Sequence, residues 1–221
     1  VRKRHLLSNI SEIGLDRWLS LSPDDWEEIR GACQGKKATS KRLKKRAYQR
    51  NIIHSAGKHF IKDENARGHI NLPCGTGKSL IAIWIAQRLK ATSIIVAVPS
   101  LALIRQSLQQ WTREMLANGI IPDWLCVCSD ESVGKVNTDE FVGGQFDMGI
   151  KVHTDPKSIE NFLKRKSGKV KIVFVTYQSS LVLAKTAMAQ KFVFSLAILD
   201  EAQKTVGSHI KPFAALLSDK N

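Results

Sequence analysis

The stretch that decides the fold is LPCGTGKS, at residues 72–79. Gly75 and Gly77 let the backbone turn so that successive N–H groups face inward, which makes a cradle for anionic oxygens. The surrounding pattern predicts a short strand over residues 69–72 and a helix over residues 78–90. Because the amino end of a helix carries positive potential, the stretch predicts a phosphate-binding loop between a strand and a helix.

The side chains that close this loop indicate which phosphate compound it takes. Lys78 can reach the β- and γ-phosphates of a nucleotide, and the hydroxyl of Ser79 can hold magnesium. The general pattern begins with glycine where this chain has Leu72, but the Gly-Thr-Gly-Lys-Ser core is complete. The predicted ligands are ATP and Mg²⁺, and the predicted nucleotide-binding residues are Gly75, Thr76, Gly77, Lys78 and Ser79.

A second candidate for chemistry is the apolar stretch at residues 194–199, which ends in Asp200 and Glu201. Asp200 at the tip of a strand can bind magnesium through water, and Glu201 can polarise an attacking water as a general base. Two carboxylates after a strand are a weak signal alone, because strand ends are often solvated. Their place after the phosphate loop, in one series of strands and helices, favours a nucleotide hydrolysis site.

Strands and helices alternate along the chain from the phosphate loop onward. Further strands are predicted at residues 93–98, 124–128 and 171–176, helices at 43–61, 101–116, 156–166 and 179–189, and a long loop at 129–155. Unbroken runs of Val and Ile with helices between them are typical of parallel strands covered on both faces. The fold class is therefore predicted to be α/β with a mainly parallel sheet, whose ligands bind at the carboxyl ends of the strands.

The charge of the chain points to a polyanionic partner. The formal net charge is +14, and residues 31–62 contain no acidic side chain. Nucleic acid is favoured over an anionic membrane surface, because the positive charge is concentrated in this stretch. Separately, no apolar run approaches the ~18 residues that span a bilayer. The alternative is a soluble protein that is simply basic. The candidate nucleic-acid contacts in this stretch are Lys41, Arg42, Lys44 and Lys45.

Cysteine and tryptophan receive structural interpretations. Cys126 and Cys128 are two residues apart and lack the C-x-x-C or paired-His spacing of a zinc site, so buried thiols in a reducing cytoplasm are expected. Trp84, Trp111 and Trp124 are expected to be core or domain-contact residues rather than platforms for bases.

At this point the chain resembles the superfamily 2 helicases and translocases. The resemblance is carried, in the order found in that family, by RAYQ at 46–49, CGTGKS at 74–79, VPSL at 98–101, VTYQS at 175–179 and DEAQ at 200–203. Ala47 stands where the first of these motifs usually has proline. Within the superfamily, the chain is most similar to the helicase lobe of restriction-type DNA translocases, both type III and single-chain type I. The resemblance implies a RecA-like P-loop NTPase domain.

The resemblance also implies roles for individual residues. Gln49 would read adenine, and Glu201 would be the catalytic base. Lys78 would be a second catalytic residue through its charge on the phosphates, and Gln203, the third, would relay the nucleotide state to a second lobe. Contacts to the phosphate backbone of one nucleic-acid strand would come from Ser100, Thr176 and Gln178. Ser and Thr at strand ends also commonly cap helices, so a purely structural role stays open for them.

The domain organisation follows from the same comparison. Residues 1–41 are predicted to be a basic helical leader or the end of an upstream domain, and residues 42–221 the first RecA-like lobe. Motif III and the second lobe, with its arginine finger, are not found before Asn221. Since that finger can contribute ~10³–10⁵ in rate, the isolated chain is expected to bind nucleotide but hydrolyse it poorly.

The sequence leaves three functional hypotheses open. The first is the ATP-binding lobe of a helicase or translocase that acts on double-stranded DNA in restriction or defence. The second is a non-catalytic module that senses nucleotide or docks on DNA. The third is an RNA helicase lobe, because the phosphate loop and the carboxylate pair occur in both groups.

Overall fold

The computed structural model of the chain describes residues 22–23, 26–27, 30, 42–128 and 152–201. The helices of this part are α1 (Ala47–Gly57), α2 (Lys78–Arg88), α3 (Leu101–Ala117), α4 (Pro156–Lys164) and α5 (Ser180–Ala189). A π-helical turn, Lys58–Lys62, continues α1, and a 3₁₀ turn, Tyr177–Ser179, precedes α5. The strands are β1 (Ser93–Val98), β2 (Asp123–Val127), β3 (Val152–His153), β4 (Lys171–Thr176) and β5 (Leu196–Leu199).

The five strands form one parallel sheet in the order β3-β2-β4-β1-β5. Val98 pairs with Thr176 and Ala97 pairs with Leu199, so β4, β1 and β5 end together. The carboxyl ends of these strands therefore make one edge of the sheet, where the sequence places its candidate site residues. The predicted α/β class with a mainly parallel sheet is confirmed.

Helices cover both faces of the sheet, which is why its central strands are continuously apolar. On one face α2 and α3 pack against β1 and β4 through a core that includes Ile83, Ile104 and Trp111. On the other face, Ile159 of α4 and Leu183 of α5 pack against the same strands. A smaller cluster joins α1 to the outer side of α2. Burial on both faces explains why β1 and β4 have the bounds that the apolar runs predict.

Most helix boundaries lie within two residues of the prediction, and the start of α1 differs more. The helix expected over residues 43–61 begins only at Ala47, because Arg46 has an extended backbone (φ −69°, ψ 159°) and its N–H donates to Oε1 of Gln49 (2.9 Å). That bond satisfies a donor just before the first turn and fixes the start of α1.

One strand prediction and one loop prediction are wrong, and both concern the pairing of a short strand. Residues 69–72 form no strand, and Ile70 is 43% exposed. Val152–His153, inside the predicted loop, does form one, by pairing with Cys126 and Val127 of β2. A strand exists through its partner, and β5 pairs with β1 but with no other strand of the described residues. The run at 69–72 pairs with no strand of the described residues, so it forms no strand there.

The remaining expectations are met in part. Within the predicted helical leader, Pro23 begins helical structure, and the N–H of Trp26 donates to the Ser22 carbonyl (3.1 Å). Trp84 and Trp111 are buried in the core as expected, whereas Trp124 is 37% exposed. Cys126 and Cys128 are buried. In the part of the chain that the structure describes, no helix is both long and apolar enough to cross a bilayer.

Candidate nucleotide site at the carboxyl edge of the sheet

The loop at residues 72–79 depends on two glycines in the left-handed region. Gly75 and Gly77 both have φ of +78°, a conformation that L side chains rarely adopt. A Cβ on Gly77 would also lie 3.1 Å from Nε2 of Gln49, whereas a Cβ on Gly75 would meet no atom within 4 Å. Gly75 is therefore required by backbone conformation alone, and Gly77 by conformation and by close packing.

The amino end of α2 follows this loop directly. Its capping position is Gly77, which has no side chain to bond the first-turn N–H groups. Lys78 and Ser79 open the helix and are half-buried. Because only residues 89–92 connect the carboxyl end of α2 to the start of β1, the amino end of the helix points towards the carboxyl edge of the sheet. The predicted phosphate loop thus opens at the edge where β5 ends.

Two side chains from the start of α1 hold the loop through one main-chain carbonyl. The hydroxyl of Tyr48 (2.8 Å) and Nε2 of Gln49 (3.1 Å) both donate to the carbonyl of Thr76. The hydroxyl of Thr76 in turn donates to the carbonyl of Pro73 (2.8 Å). Gln49 is 4% exposed, so its amide braces the loop in this conformation, and its reading of adenine stays a prediction. No separate pattern in the sequence indicates this role for Tyr48, although it lies within the RAYQ motif.

Asp200 and Glu201 follow β5, at the same edge. The N–H of Asp200 donates to the carbonyl of Ala97 in β1 (2.9 Å), and the hydroxyl of Tyr177 donates to the carbonyl of Asp200. Glu201 has φ of +54°, which is uncommon for a residue with a side chain; Glu64, Lys90 and Lys191 share this conformation. The carboxylate pair is therefore anchored through its main chain to two neighbouring strands.

Tyr177 is the residue at this edge that the sequence left without a role. Burial raises the pKa of its phenol well above the usual value, and the nearby carboxylates of Asp200 and Glu201 raise it further. The phenol therefore stays protonated and remains a hydrogen-bond donor. No spacing rule indicates this contact, because Tyr177 reaches Asp200 only once the sheet has formed.

The residues at this edge fit a nucleotide with magnesium. The uncapped amino end of α2 and the glycine turns supply main-chain donors for phosphate oxygens, and Lys78 supplies a cation. Ser79 and Asp200 offer the oxygen ligands that Mg²⁺ prefers. Gln203 lies outside the described residues.

The three residues predicted to contact nucleic-acid phosphates lie at the same edge of the sheet, but they differ in exposure. Ser100 caps α3 by accepting the N–H of Leu103 (3.4 Å) and is half-buried. Thr176 is fully buried, and its hydroxyl donates to that of Ser179 (3.1 Å). A phosphate cannot reach Thr176 in this conformation, which corrects that expectation. Gln178 is exposed on the turn after β4.

The basic stretch before α1 is partly engaged by the protein itself. Nε of Arg42 donates to the carbonyl of Ala117 at the end of α3 (3.0 Å). Nζ of Lys45 lies 5.3 Å from the centre of the Trp84 ring, a cation–π contact. Lys44 is exposed. Lys41 lies outside the described residues.

Comparisons with known proteins agree with this geometry. The family model of the Type III restriction enzyme, res subunit, matches residues 42–211. A solved structure described as the ATP-dependent Type ISP restriction-modification enzyme LlaBIII bound to DNA is 26% identical, with a TM-score of 0.61 over 80% of this chain. A nuclease-deletion mutant of the Type ISP enzyme LlaGI, in complex with a DNA substrate mimic, is 27% identical, with a TM-score of 0.60 over 80% of this chain. No curated protein sequence matches the chain.

These comparisons cover most of this chain but only a small part of the enzymes that resemble it. The chain spans 12% of the LlaBIII chain and 14% of the LlaGI chain. The family match covers more than half of the chain, including the phosphate loop and the carboxylate pair. The chain therefore belongs to the family of Type III restriction enzyme res subunits, and it has the fold of a restriction-type superfamily 2 helicase lobe.

Proposed function

We propose that the chain is the first RecA-like lobe of an ATP-driven DNA translocase or helicase of a restriction or defence system. The observation that carries the proposal is the meeting of the phosphate loop and the Asp200–Glu201 pair at the carboxyl edge of one parallel sheet, in a chain of this family. Helicases of this kind in general use ATP and a divalent metal. The solved enzymes that the chain resembles are bound to DNA or to a DNA mimic, which supports DNA as the partner.

The proposed division of labour follows from where each side chain lies. Gly75, Thr76 and Gly77 present main-chain donors to the phosphates, and Lys78 places its charge against them. Ser79 and Asp200 hold magnesium, which when bound neutralises charge that develops during phosphoryl transfer. Glu201 orients the attacking water and accepts its proton. Gln203 transmits the nucleotide state to a second RecA-like lobe.

The proposed path of DNA runs over the exposed end of the sheet. Gln178 and Ser100 follow adjacent strands there, and Lys44 adds a cation in the basic stretch that begins the lobe. Contacts of this kind go to phosphates, so binding is independent of sequence and sensitive to salt. The family match begins at residue 42, which supports a lobe boundary between residues 41 and 42.

The test is ATP hydrolysis by the full-length protein that carries this chain, with double-stranded DNA, single-stranded DNA, RNA or no nucleic acid. Strong stimulation by duplex DNA that is lost in Lys78→Ala is the expected result. Stimulation by RNA alone would replace the DNA motor with an RNA helicase. Nucleotide binding with no stimulation by any nucleic acid would replace the motor with a binding module.

The isolated chain is proposed to bind ATP but to hydrolyse it slowly, because charge stabilisation from a second lobe is expected to be needed. Vigorous, nucleic-acid-stimulated turnover by this chain alone would overturn that part of the proposal.

A further inference from the structure

Tyr177 links two loops that belong to strands that do not touch. It follows β4, whereas Asp200 follows β5, and β1 lies between these strands in the sheet. The side chain of Tyr177 crosses the end of β1, and its hydroxyl donates to the main-chain carbonyl of Asp200. One hydrogen bond therefore connects the turn that precedes α5 with the carboxylate pair.

At the Tyr177 end of this link, side-chain hydrogen bonds hold the 3₁₀ turn and the start of α5 together. The hydroxyl of Ser180 donates to the carbonyl of Tyr177 (2.6 Å), and the hydroxyl of Thr176 donates to that of Ser179 (3.1 Å). Thr176, Ser179 and Ser180 are buried, while Gln178 is exposed between them. A ligand that displaces the backbone of Gln178 also displaces Tyr177, its neighbour in a single 3₁₀ turn.

At the other end of the link, Asp200 is held through its main-chain N–H and its main-chain carbonyl. The N–H of Asp200 donates to the carbonyl of Ala97, and the carbonyl of Asp200 accepts from Tyr177. The first bond orients the peptide before Asp200, and the bond from Tyr177 orients the peptide that leads into Glu201. Glu201 has φ of +54°, a conformation that the surrounding structure must maintain. A small movement of Tyr177 therefore changes the orientation of the proposed base more than it changes the strands beneath.

We propose that Tyr177 is a positioning residue that couples nucleic acid on the Gln178 turn to the Asp200–Glu201 pair. The inference rests on the proposed function, since it assumes that DNA lies on that turn and nucleotide on that pair. Binding of DNA then changes nucleotide affinity and hydrolysis, and nucleotide changes DNA affinity by the same factor, as linkage requires for binding.

The test uses Tyr177→Phe in the full-length protein, which keeps the ring packed and removes only the hydroxyl. The dissociation constants for duplex DNA and for a non-hydrolysable ATP analogue with magnesium are measured separately and together, beside hydrolysis with and without DNA. In Tyr177→Phe, the effect of DNA on analogue affinity and on hydrolysis is expected to fall about three- to tenfold, as for loss of one hydrogen bond. Each ligand alone should bind within about twofold of wild type.

The matched control is Tyr48→Phe, which also removes a hydroxyl that donates to a main-chain carbonyl, but at the phosphate loop. It should weaken analogue binding. The ratio of the analogue dissociation constants measured with and without DNA should stay unchanged. Should Tyr177→Phe fail to fold, as judged by urea unfolding, Ser180→Ala is the second variant. It loosens the same turn and is also expected to reduce the effect of DNA on analogue affinity.

The outcomes separate the two proposals. A DNA effect in the wild type that persists in full in Tyr177→Phe and in Ser180→Ala overturns the coupling role and leaves the motor standing. Absence of any DNA effect in the wild type overturns the proposed function, and the coupling with it.

Discussion

The two edges of the sheet each carry a lysine, and the structure uses them in opposite ways. At the amino edge, Lys171 is 9% exposed, and its Nζ donates to the carbonyls of Phe162 (2.7 Å) and Leu163 (2.6 Å) in the last turn of α4. It also lies over the rings of Phe162 (5.3 Å) and Phe192 (5.6 Å). At the carboxyl edge, Lys78 opens α2, half-buried, beside the glycine turns.

The difference shows that the role of a lysine near the sheet depends on the groups that surround its charge. Lys171 caps orphan carbonyls at the end of a helix, as cations there commonly do, so its donors are used within the fold. Lys78 lies at the opposite end of a helix, where the dipole favours anions rather than a cation. A lysine in that place contributes less to the fold, which fits a residue kept for binding phosphate.

Among the changes that test this contrast, Lys78→Ala is expected to have the largest effect, on ATP affinity. Lys78→Ala removes a charged donor to phosphate, worth about 1.5–3 kcal/mol, so ATP affinity should fall roughly 10- to 100-fold while stability changes little. Titration with a fluorescent ATP analogue measures the first and urea unfolding the second. Lys169→Ala, an exposed lysine just before β4, is the control and should bind as wild type. Equal affinity for Lys78→Ala and wild type would break the contrast.

The reverse pattern is expected at the other edge. Lys171→Met leaves two carbonyls of α4 without their donor and should lower the free energy of unfolding by about 1–3 kcal/mol, while nucleotide affinity is unchanged. The control is Lys164→Met, which loses only an exposed pair with Glu160, of the kind worth ~0.3–0.5 kcal/mol. Urea denaturation of the wild type, Lys171→Met and Lys164→Met measures these differences in the free energy of unfolding. A stable Lys171→Met would show that its bonds contribute nothing.

Lys171 also gives this edge a predicted pH dependence. Burial lowers the pKa of Lys171 below its usual 10.5, and the charge of Arg165 lowers it further against the opposing effect of Asp123. The unfolded chain then holds more protons than the folded one between the folded pKa and 10.5, so the contribution of this residue to stability rises with pH in that window. The stability difference between wild type and Lys171→Met should widen there in favour of wild type.

The next effect in size concerns the brace on the phosphate loop. Tyr48→Phe removes one neutral hydrogen bond to Thr76, worth about 0.5–1.5 kcal/mol, and should weaken ATP binding about two- to tenfold. Gln49→Ala acts on the same carbonyl, so the double variant should deviate from the sum of the single changes. Analogue titration of all four proteins measures the coupling. Strict additivity would mean that the two side chains act independently.

The smallest effect is expected in the basic stretch. Lys44→Ala removes an exposed cation with no loss to the fold and should reduce the slope of log affinity for duplex DNA against log salt by about 1. Arg42 and Lys45 are poorer probes, because both also contact the protein. Lys185→Ala, exposed on α5, should keep the wild-type slope. Identical slopes for Lys44→Ala and wild type would exclude Lys44 from the DNA path.

The sequence predicts what is local and buried, and it fails where structure depends on a distant partner. Strands β1 and β4 match the predicted bounds, because a run of buried apolar residues is self-defining. The strand predicted at 69–72 does not form, and the strand Val152–His153 lies in a predicted loop. Both differences arise because a short strand forms only where it has a pairing partner. At the site, the glycine turns follow from residue type. The bonds of Tyr48 and Tyr177 do not, since they join residues 28 and 23 positions apart.

The roles of hydroxyl residues at strand ends show the same limit. Thr176 and Ser100 have the residue type and position of phosphate contacts, yet Thr176 is fully buried and Ser100 caps a helix. A hydroxyl after a strand serves either purpose, and only the fold distinguishes them. Gln178 is the exposed member of the predicted set, and its contact with phosphate stays a prediction.

The central claim is that nucleotide binds on the loop at residues 72–79, and Cys74 within that loop tests it most directly. Cys74 is exposed, whereas Cys126 is buried in the sheet, where burial, and next the nearby Cys128, raise its thiol pKa to about 12. Alkylation followed by mass spectrometry should therefore modify Cys74 quickly and Cys126 slowly. Saturating ATP with magnesium should slow modification of Cys74 in the wild type but not in Lys78→Ala. An unchanged rate at Cys74 while bound nucleotide is detected would contradict the account, because nucleotide would then occupy another site.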